Sequence, residues 1–426
     1  MEQSNVPQAQ GVDNFIDWQK KAAIFLSSQS ASLLGSMLVQ YAIIWHLTLE
    51  TQSGAVLTIA TIAGFLPQIL LLPFAGVWAD RYPRKLLIIS ADLLTAVSTL
   101  VLAIFFLMGY RELWLIYLLS AVRSVGGGIQ APAVGALLPQ IVPMDRLMKV
   151  NSINGTLQPF IMIIAPVVAG AMLSVSTLES IFFVDVVTAA IAVGLLLMLR
   201  VPPHQKAAEA QQTGYLDDLK EGLRYIGQHA LIKRLFFFFA ISFFLIAPVA
   251  FLSPLLVARS FGEEVWRLTA NEITFFGGSI LGGVIMTAWG GFKNRVRTIG
   301  FAFILWGVLF AGLGIARDFI FYLVLMTLSG LPMPFMNASI VTLLQETVDP
   351  NVQGRVFSVQ GLIMSTVMPL GMLFFGPLAD VVSIELLLVV SGVPMALAGL
   401  WLFMKGLPIT PLPEAAQPEF EMQPGD

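Results

Sequence analysis

Five ionisable residues lie within or near the ends of long apolar stretches of this sequence. Arg123 is the one basic residue well inside such a stretch, and the acidic ones are Asp92, Asp185, Glu272 and Glu346. A charged side chain at membrane depth costs about 2.5–3.5 kcal/mol on insertion scales, so Arg123 requires a wet cavity or an ionised partner. An Asp next to an Arg can bind and release a proton, because burial favours its neutral form and the cation its charged form. This chemistry is proton transfer through an apolar layer.

Asp185, in "FFVDVV", is the first candidate for the proton carrier. Asp92 and Glu346 are alternative carriers, and each is equally well explained as an interfacial packing residue. Glu272 lies near the end of its apolar stretch, where solvation alone explains it. For Arg123 the competing interpretation is a purely structural ion pair.

A second charged group is the stretch "GVWADRYPRKLL", residues 76–87, between two apolar runs. After Gly76 it contains four charged residues: Asp80, Arg81, Arg84 and Lys85. A carboxylate at a helix end can accept hydrogen bonds from the exposed N–H groups that begin another helix. We therefore expect Asp80 to act as a latch that binds the start of a later helix near Gly354 and Arg355. The competing interpretation, that basic residues here only fix the topology, is the one we expect for Lys85.

Polar and aromatic residues that interrupt the apolar stretches are candidates for lining a substrate cavity. They are Gln40, Tyr41, Trp45, Gln68, Asn337 and Gln360. The chain also has 18 Met and 31 Phe, which predict a deformable apolar wall suited to bulky amphiphiles rather than sugars.

The elements that must position these residues are membrane-spanning helices. Of the 426 residues, 57% are hydrophobic and 12% are charged, which leaves too little polar surface for a water-soluble protein. Long apolar runs indicate helices, because a barrel shows short alternating segments. Twelve spans are predicted, at residues 22–49, 54–79, 86–108, 113–138, 152–173, 179–200, 231–257, 268–291, 298–316, 319–345, 355–378 and 384–405.

The basic residues predict the orientation of these spans. Positively charged loops stay in the cytoplasm, and with both termini inside, nearly all of the 23 Lys and Arg fall on the cytosolic side. Those expected outside are Arg111, Arg259, Arg267 and Arg317. The apolar run after the N-terminal tail is too long for a signal peptide, so we interpret it as a retained first span.

The chain divides into two halves around a polar segment. We predict a cytosolic tail (1–21), a six-helix bundle (22–200), a cytosolic linker with an amphipathic helix (201–230), a second six-helix bundle (231–405) and a cytosolic tail (406–426). "MKVNSINGTL" and "GRVFSVQGLI" align between the halves, as do Gly76, Asp80 and Arg81 with Gly290, Asn294 and Arg295. Paired repeats with a midplane site between them are a common transporter plan.

The twelve spans, the long central loop and G-x-x-x-D-R-x-x-R-K after span 2 resemble the major facilitator superfamily, over nearly the whole chain. The resemblance implies that fold, and it implies that the latch closes the cytosolic side. "RSVGG" from Arg123 resembles a pattern of proton-coupled members. The sequence departs from the family at Pro83, which replaces a glycine, at Asn294, which replaces the acid, and in span 5, where Pro166 and Gly170 are all that remains of the exporter pattern.

"LPQILLLPFAGVWADRYPRK", "LLPQIVP" and "DDLKEGLRYI" are most similar to the bacterial macrolide-efflux branch of drug:proton antiporters. The resemblance implies a secondary exporter of bulky amphiphilic compounds in the bacterial cytoplasmic membrane, driven by the proton gradient without a cofactor. The alternatives are export of a siderophore or lysophospholipid, and a membrane sensor that transports nothing. We expect a monomer whose partners are a small substrate and lipid, not nucleic acid. An enzyme is poorly supported, since the three His do not cluster, Cys is absent and no ATP-binding loop exists.

Overall fold

A computed structural model describes residues 17–201 and 215–405 of the chain. The predicted tails before residue 17 and after residue 405, and residues 202–214 of the predicted linker, lie outside the described residues. The helices of the first half are α1 (Trp18–Thr51), α2 (Gly54–Arg81), α3 (Arg84–Leu107), α4 (Leu113–Ile141), α5 (Met144–Val175) and α6 (Leu178–Met198).

The polar segment between the halves contains a further helix, α7 (Tyr215–Gln228), at the position predicted for an amphipathic helix. The helices of the second half are α8 (Ala230–Ser260), α9 (Val265–Trp289), α10 (Arg295–Ile315), α11 (Phe319–Gly330), α12 (Pro332–Thr347), α13 (Gln353–Leu378) and α14 (Ile384–Lys405). The segments α11 and α12 follow each other directly and cover the predicted tenth span.

Eleven helical segments are long and apolar enough to cross a membrane, with α11 and α12 counted as one. Together with α4, which has 29 residues, they are consistent with the twelve predicted spans. The chain is therefore an all-α, multi-pass membrane protein. Several helices begin with a side-chain cap: Ser53 Oγ accepts from the Val56 N–H, and Asn294 Oδ1 accepts from the Val296 N–H.

By their internal contacts the residues form two compact units. The first comprises Met1–Gln212 with Pro254–Ile273, and the second comprises Thr213–Ser253 with Thr274–Asp426. The segment Pro254–Ile273, the end of α8 and the start of α9, thus belongs with the first unit, although the sequence analysis assigns it to the bundle 231–405. Hydrogen bonds hold it there: the Arg259 guanidinium donates to the Gln52 carbonyl, and the Gln52 amide donates to Glu263.

The first unit has an apolar core at the end where α1 and α3 begin and α4 and α6 end. Phe25, Ile88, Leu137, Ile141 and Leu196 are fully or almost fully buried in it. This core fixes four helices that also carry the polar residues of the candidate site, so those residues are held on a rigid frame.

The second unit is packed through glycines on α10 and α14. A Cβ on Gly307 would lie 2.5 Å from the Gly392 carbonyl oxygen, and one on Gly300 would lie 2.8 Å from that of Gly399. The two glycine pairs are seven residues apart on both helices, so they form one seam. Small residues allow helix backbones to approach closely in a membrane.

The predicted tenth span is broken between Gly330 and Pro332, within the second unit. Proline lacks an N–H group and cannot continue the hydrogen-bond ladder of α11. The last carbonyl groups of α11 therefore need other donors, and the indole N–H of Trp306 on α10 donates to the carbonyl of Ser329 at 2.8 Å. The break is thus fixed by a neighbouring helix.

Candidate functional site

Arg123 of α4 and Asp185 of α6 form a buried ion pair in the first unit. The Arg123 Nη1 lies 2.6 Å from Asp185 Oδ2, and the two side chains are 10% and 2% exposed. The hydroxyl of Thr99 on α3 donates to the same carboxylate oxygen at 2.7 Å and also contacts Arg123. Two donors, Thr99 and Arg123, therefore meet at one oxygen of Asp185. Arg123 thus has an acidic partner, which is one of the two environments that the sequence analysis requires for it.

A glycine on α1 makes room for this pair. A Cβ on Gly35 would lie 2.7 Å from Asp185 Oδ1 and would also contact the Thr188 hydroxyl. The backbone of α1 therefore lies against the carboxylate, and the Ser36 carbonyl is 3.5 Å from Arg123 Nη2. Helices α1, α3, α4 and α6 all contribute to one polar cluster.

A second polar cluster lies around Asp92 of α3. Its Oδ1 accepts hydrogen bonds from the Ser32 hydroxyl of α1, at 2.6 Å, and from the Gln130 amide of α4, at 2.8 Å. Its Oδ2 is buried and has no hydrogen-bond partner. Asp92 is only 2% exposed, so it lies in the interior of the first unit.

Both clusters adjoin a cavity of about 450 Å³ in the first unit. Arg123, Ser32 and Gln130 line it, so the donors of both carboxylates reach its wall. Amide and hydroxyl side chains dominate the rest of the polar lining: Gln29, Ser30, Ser36, Gln40, Gln68, Thr95, Ser120, Ser124, Asn154 and Gln158. Met37 and Phe65 are also present, but in this unit the wall is richer in hydrogen-bonding groups than the expected wall of Met and Phe.

The residues predicted to line a substrate cavity divide into three groups. Gln40 and Gln68 lie in the wall of this cavity. Tyr41 and Trp45 are not among its lining residues, and Trp45 is fully buried beside the Tyr41 ring at 5.5 Å between centroids. Asn337 and Gln360 belong to the second unit, where the Gln360 amide faces the Met364 sulfur at 4.0 Å.

Tyr41 has a different partner in the first unit, Glu272 near the start of α9. The tyrosine hydroxyl forms a hydrogen bond with the Glu272 carboxyl, and the Asn271 amide donates to the same group at 3.3 Å. Glu272 is partly buried. The interpretation that solvation alone explains Glu272 is therefore wrong, because two side chains bind it.

In the charged stretch of residues 76–87, Arg84 and Lys85 bind carbonyl groups near the ends of helices in the first unit. Arg84 donates to the carbonyls of Ala79 on α2, at 3.1 Å, and Ala136 on α4, at 2.7 Å. Lys85 Nζ donates to the carbonyls of Leu197 and Leu199 at the end of α6. The last carbonyls of a helix lack internal partners and attract cations. Lys85 therefore does more than fix the membrane topology, because it also binds the end of α6.

Asp80 and Arg81 lie at the end of α2, beyond Gly76. The Asp80 carboxylate is 3.9 Å from Arg84 Nη2, and its side chain is 62% exposed. Arg81 is exposed as well. This geometry leaves the carboxylate of Asp80 on the surface of the first unit.

Two residues of the predicted site lie in ion pairs within the second unit. Arg355 of α13 binds Glu221 of α7 at 2.7 Å. Glu346 of α12 is 3.5 Å from Arg295, the arginine that repeats the first-half motif. The two side chains of this pair are 29% and 44% exposed, so Glu346 is not a buried acid.

Sequence reasoning missed the partners of the acids, namely Ser32, Thr99 and Gln130. A signal for each exists in the helical period. Gln130 is seven residues from Arg123 on α4, and Thr99 is seven residues from Asp92 on α3, so each shares a helix face with a charged residue. Gln29, Ser32, Ser36 and Gln40 repeat at intervals of three and four along α1, which indicates a polar face.

The fold and the cavity define a class: a helical, multi-pass membrane protein with a polar internal cavity beside a buried ion pair, as secondary transporters have. Residues 23–292 match the Major Facilitator Superfamily. The chain belongs to that family, and the resemblance drawn from its motifs is confirmed.

Curated relatives from two bacterial species carry the same name, Macrolide efflux protein A. The one from Streptococcus pyogenes is 30% identical over 383 residues, 89% of this chain and 95% of the relative. The one from Enterococcus faecalis is 30% identical over 314 residues, 73% of this chain and 97% of the relative. Among solved structures, a bacterial homologue of the human lysosomal transporter Spinster, inward-facing and unoccupied, has a TM-score of 0.69 at 14% identity, over 91% of this chain and 97% of that one.

Proposed function

We propose that this protein is a secondary exporter of bulky amphiphilic compounds of the macrolide type, which it moves outward in exchange for protons. The observation that carries the proposal is the Arg123–Asp185 pair beside the polar cavity. The choice of substrate is supported by the similarity to macrolide efflux proteins from two species over most of their length. The site of action is the cytoplasmic membrane of a bacterium, with both termini in the cytosol.

The geometry of the pair supports proton exchange. When Asp185 is ionised, Arg123 and Thr99 compensate its charge. When Asp185 binds a proton, the attraction to Arg123 weakens, and the guanidinium becomes available to the cavity that it lines. Each proton that enters brings about 2.3 kcal/mol per 100 mV of membrane potential, which is enough to drive export.

The polar wall fits an amphiphile that carries many oxygen atoms. The amides of Gln40, Gln68 and Gln158 can both donate and accept hydrogen bonds, whereas Met37 and Phe65 contact apolar surface. Alternating access then requires a gate, and we assign Asp80 to the cytosolic one, with Arg355 on the other side of the gate. The protein acts as a monomer and uses no cofactor besides the proton gradient.

Uptake of a fluorescent macrolide into inverted membrane vesicles tests the proposal. We expect an acidic lumen to drive uptake, and we expect Asp185→Asn to abolish the dependence on the gradient. Glu346→Gln is the matched control, because Glu346 belongs to a partly exposed pair, and it should keep the dependence. Uptake that ignores the gradient in the unaltered protein would refute proton exchange.

The same vesicles separate the alternative substrates. Uptake of a lysophospholipid or a siderophore, with no macrolide uptake and no change in macrolide susceptibility of cells that lack the gene, would favour export of an endogenous compound. Binding of a ligand without counterflow in proteoliposomes would favour a sensor.

A further inference from the structure

We infer that Asp92 is a second proton-binding carboxyl of the first unit, held in its neutral form next to the ionised Asp185. The inference rests on the proposed proton exchange and adds a site to it. It comes from the position of Asp92 in the bundle, from its hydrogen bonds and from the charges around it.

The two acids belong to two polar layers that are stacked along the same helices. The Arg123 layer contains Thr99, Arg123 and Asp185, and the Asp92 layer contains Ser32, Asp92 and Gln130. Asp92 and Thr99 are seven residues apart on α3, and Arg123 and Gln130 are seven residues apart on α4. At 1.5 Å per residue the layers are about 10 Å apart along the helix axes.

The hydrogen bonds of Asp92 suit a neutral carboxyl better than an ionised one. Ser32 and Gln130 both donate to Oδ1, whereas the buried Oδ2 has no partner. An ionised carboxylate spreads its charge over both oxygen atoms, and a bare charged oxygen in an apolar interior is far more costly than a bare hydroxyl. With the proton on Oδ2, Oδ1 becomes a carbonyl oxygen that accepts two hydrogen bonds.

Asp185 differs from Asp92 in both respects. Its Oδ2 accepts from Thr99 and faces the Arg123 guanidinium at 2.6 Å, so its negative charge is compensated. In the described part of the chain the hydrogen-bond partners of Asp92 are the uncharged Ser32 and Gln130, and Asp185 acts on it electrostatically as a like charge. Two ionised acids in neighbouring layers would repel each other, and a neutral Asp92 removes that repulsion.

Among the described titratable groups on α3 and on the helices around it, Asp185 is the one that acts electrostatically on Asp92. Lys85, on α3 itself, binds the carbonyls of Leu197 and Leu199, and Glu179 is paired with Arg111. The remaining ones are Lys20, Lys21, Tyr41, His46 and Glu50 on α1, Asp80 and Arg81 on α2, Arg84 on α3 and Tyr117 on α4.

The cavity gives the proton a route to Asp92. Ser32 and Gln130 line the cavity and contact the carboxyl directly. A serine hydroxyl donates and accepts, so Ser32 can pass a proton from water in the cavity to the carboxyl. The Gln130 amide lies 3.5 Å from the Ser32 hydroxyl and orients it.

Infrared spectroscopy of the purified full-length protein in lipid nanodiscs tests the inference, because a protonated carboxyl has a carbonyl stretch that a carboxylate lacks. At neutral pH we expect such a band in the unaltered protein, its loss in Asp92→Asn and its retention in Asp185→Asn. A band that persists in Asp92→Asn, or no protonated-carboxyl band at all, would overturn the assignment. Loss of the band on addition of sodium chloride would also overturn it, in favour of a cation site.

Two further variants cover the case in which Asp92→Asn does not fold. Ser32→Ala and Gln130→Leu each remove one donor to Oδ1, so each should shift the band to higher frequency without removing it. An unshifted band in both variants would assign it to another carboxyl. The measurement needs neither substrate nor gradient, so it is independent of whether Asp185→Asn loses coupled transport.

Discussion

In the first unit three described acidic side chains are buried, Asp92, Glu179 and Asp185, whereas in the described part of the second unit the buried polar residues are uncharged. The second unit instead has the glycine seam of α10 and α14. Charged side chains within a bundle can change protonation, but a glycine seam cannot. The buried acids thus lie in the unit to which we assign the proton chemistry, and the close helix packing lies in the other.

Of the changes that test this contrast, removal of one partner of the Arg123–Asp185 pair should lower the free energy of unfolding most. Asp185→Ala leaves the Arg123 charge buried without its counter-ion, which should lower the free energy of unfolding by about 3–5 kcal/mol. Unfolding in mixed micelles measures the loss. Arg123→Leu combined with Asp185→Leu should recover part of it, because no charge then remains.

The matched variant in the second unit is Glu346→Ala, which removes the partner of Arg295. The Arg295 Nε and Glu346 Oε1 atoms are 3.5 Å apart, and the two side chains are 29% and 44% exposed. The change in unfolding free energy should therefore be about 0–1 kcal/mol. Equal losses for Asp185→Ala and Glu346→Ala would remove the basis of the contrast.

A smaller effect is expected in the glycine seam. A Cβ on Gly307 would lie 2.5 Å from the Gly392 carbonyl oxygen and 2.6 Å from the Ala396 Cα. Gly307→Ala should therefore push α10 and α14 apart and lower the unfolding free energy by about 1–3 kcal/mol. The control is Gly283→Ala on α9, where a Cβ meets nothing within 4 Å, and stability should stay equal or rise by up to about 1 kcal/mol. Similar losses in both variants would show that the seam is not special.

Small stability effects are also expected at Asp80 and Asn294, the residues that occupy equivalent positions in the two halves. Asn294 caps α10 through the Val296 N–H, so Asn294→Ala should cost about 1 kcal/mol, and Asn294→Asp should cost nothing measurable. Asp80 is exposed and pairs loosely with Arg84, so Asp80→Asn should leave the unfolding free energy unchanged. If Asp80 is the latch, Asp80→Asn should still lower the transport rate several-fold in vesicles, and an unchanged rate would reject that role.

The fold was predictable from the sequence because membrane spans require long apolar runs, and the chain has twelve of them. The ion pair was also predictable in part, since a buried arginine needs a wet cavity or an acid, and Asp185 lies within an apolar span. The break between α11 and α12 went unpredicted, although Pro332 and Pro334 mark it. Length and apolarity alone do not distinguish a broken span from a continuous one.

The lining of the cavity was harder to predict, because a helix face is decided by its neighbours. Gln40 faces the cavity, whereas Tyr41, the next residue and about 100° further around the helix, reaches Glu272 of α9. That contact joins residues 231 positions apart in the chain, and no local pattern records it. The sequence alone therefore identified polar residues in the spans but not the partner of each.

The bond from Trp306 to the Ser329 carbonyl provides a natural spectroscopic probe of the interrupted span. Its indole N–H resonance reports directly on whether α10 and the end of α11 move as one body, and Trp306→Phe identifies that signal among the eight tryptophans. A resonance that stays unchanged when substrate is added would mark this joint as a fixed strut, and one that shifts would mark it as a hinge.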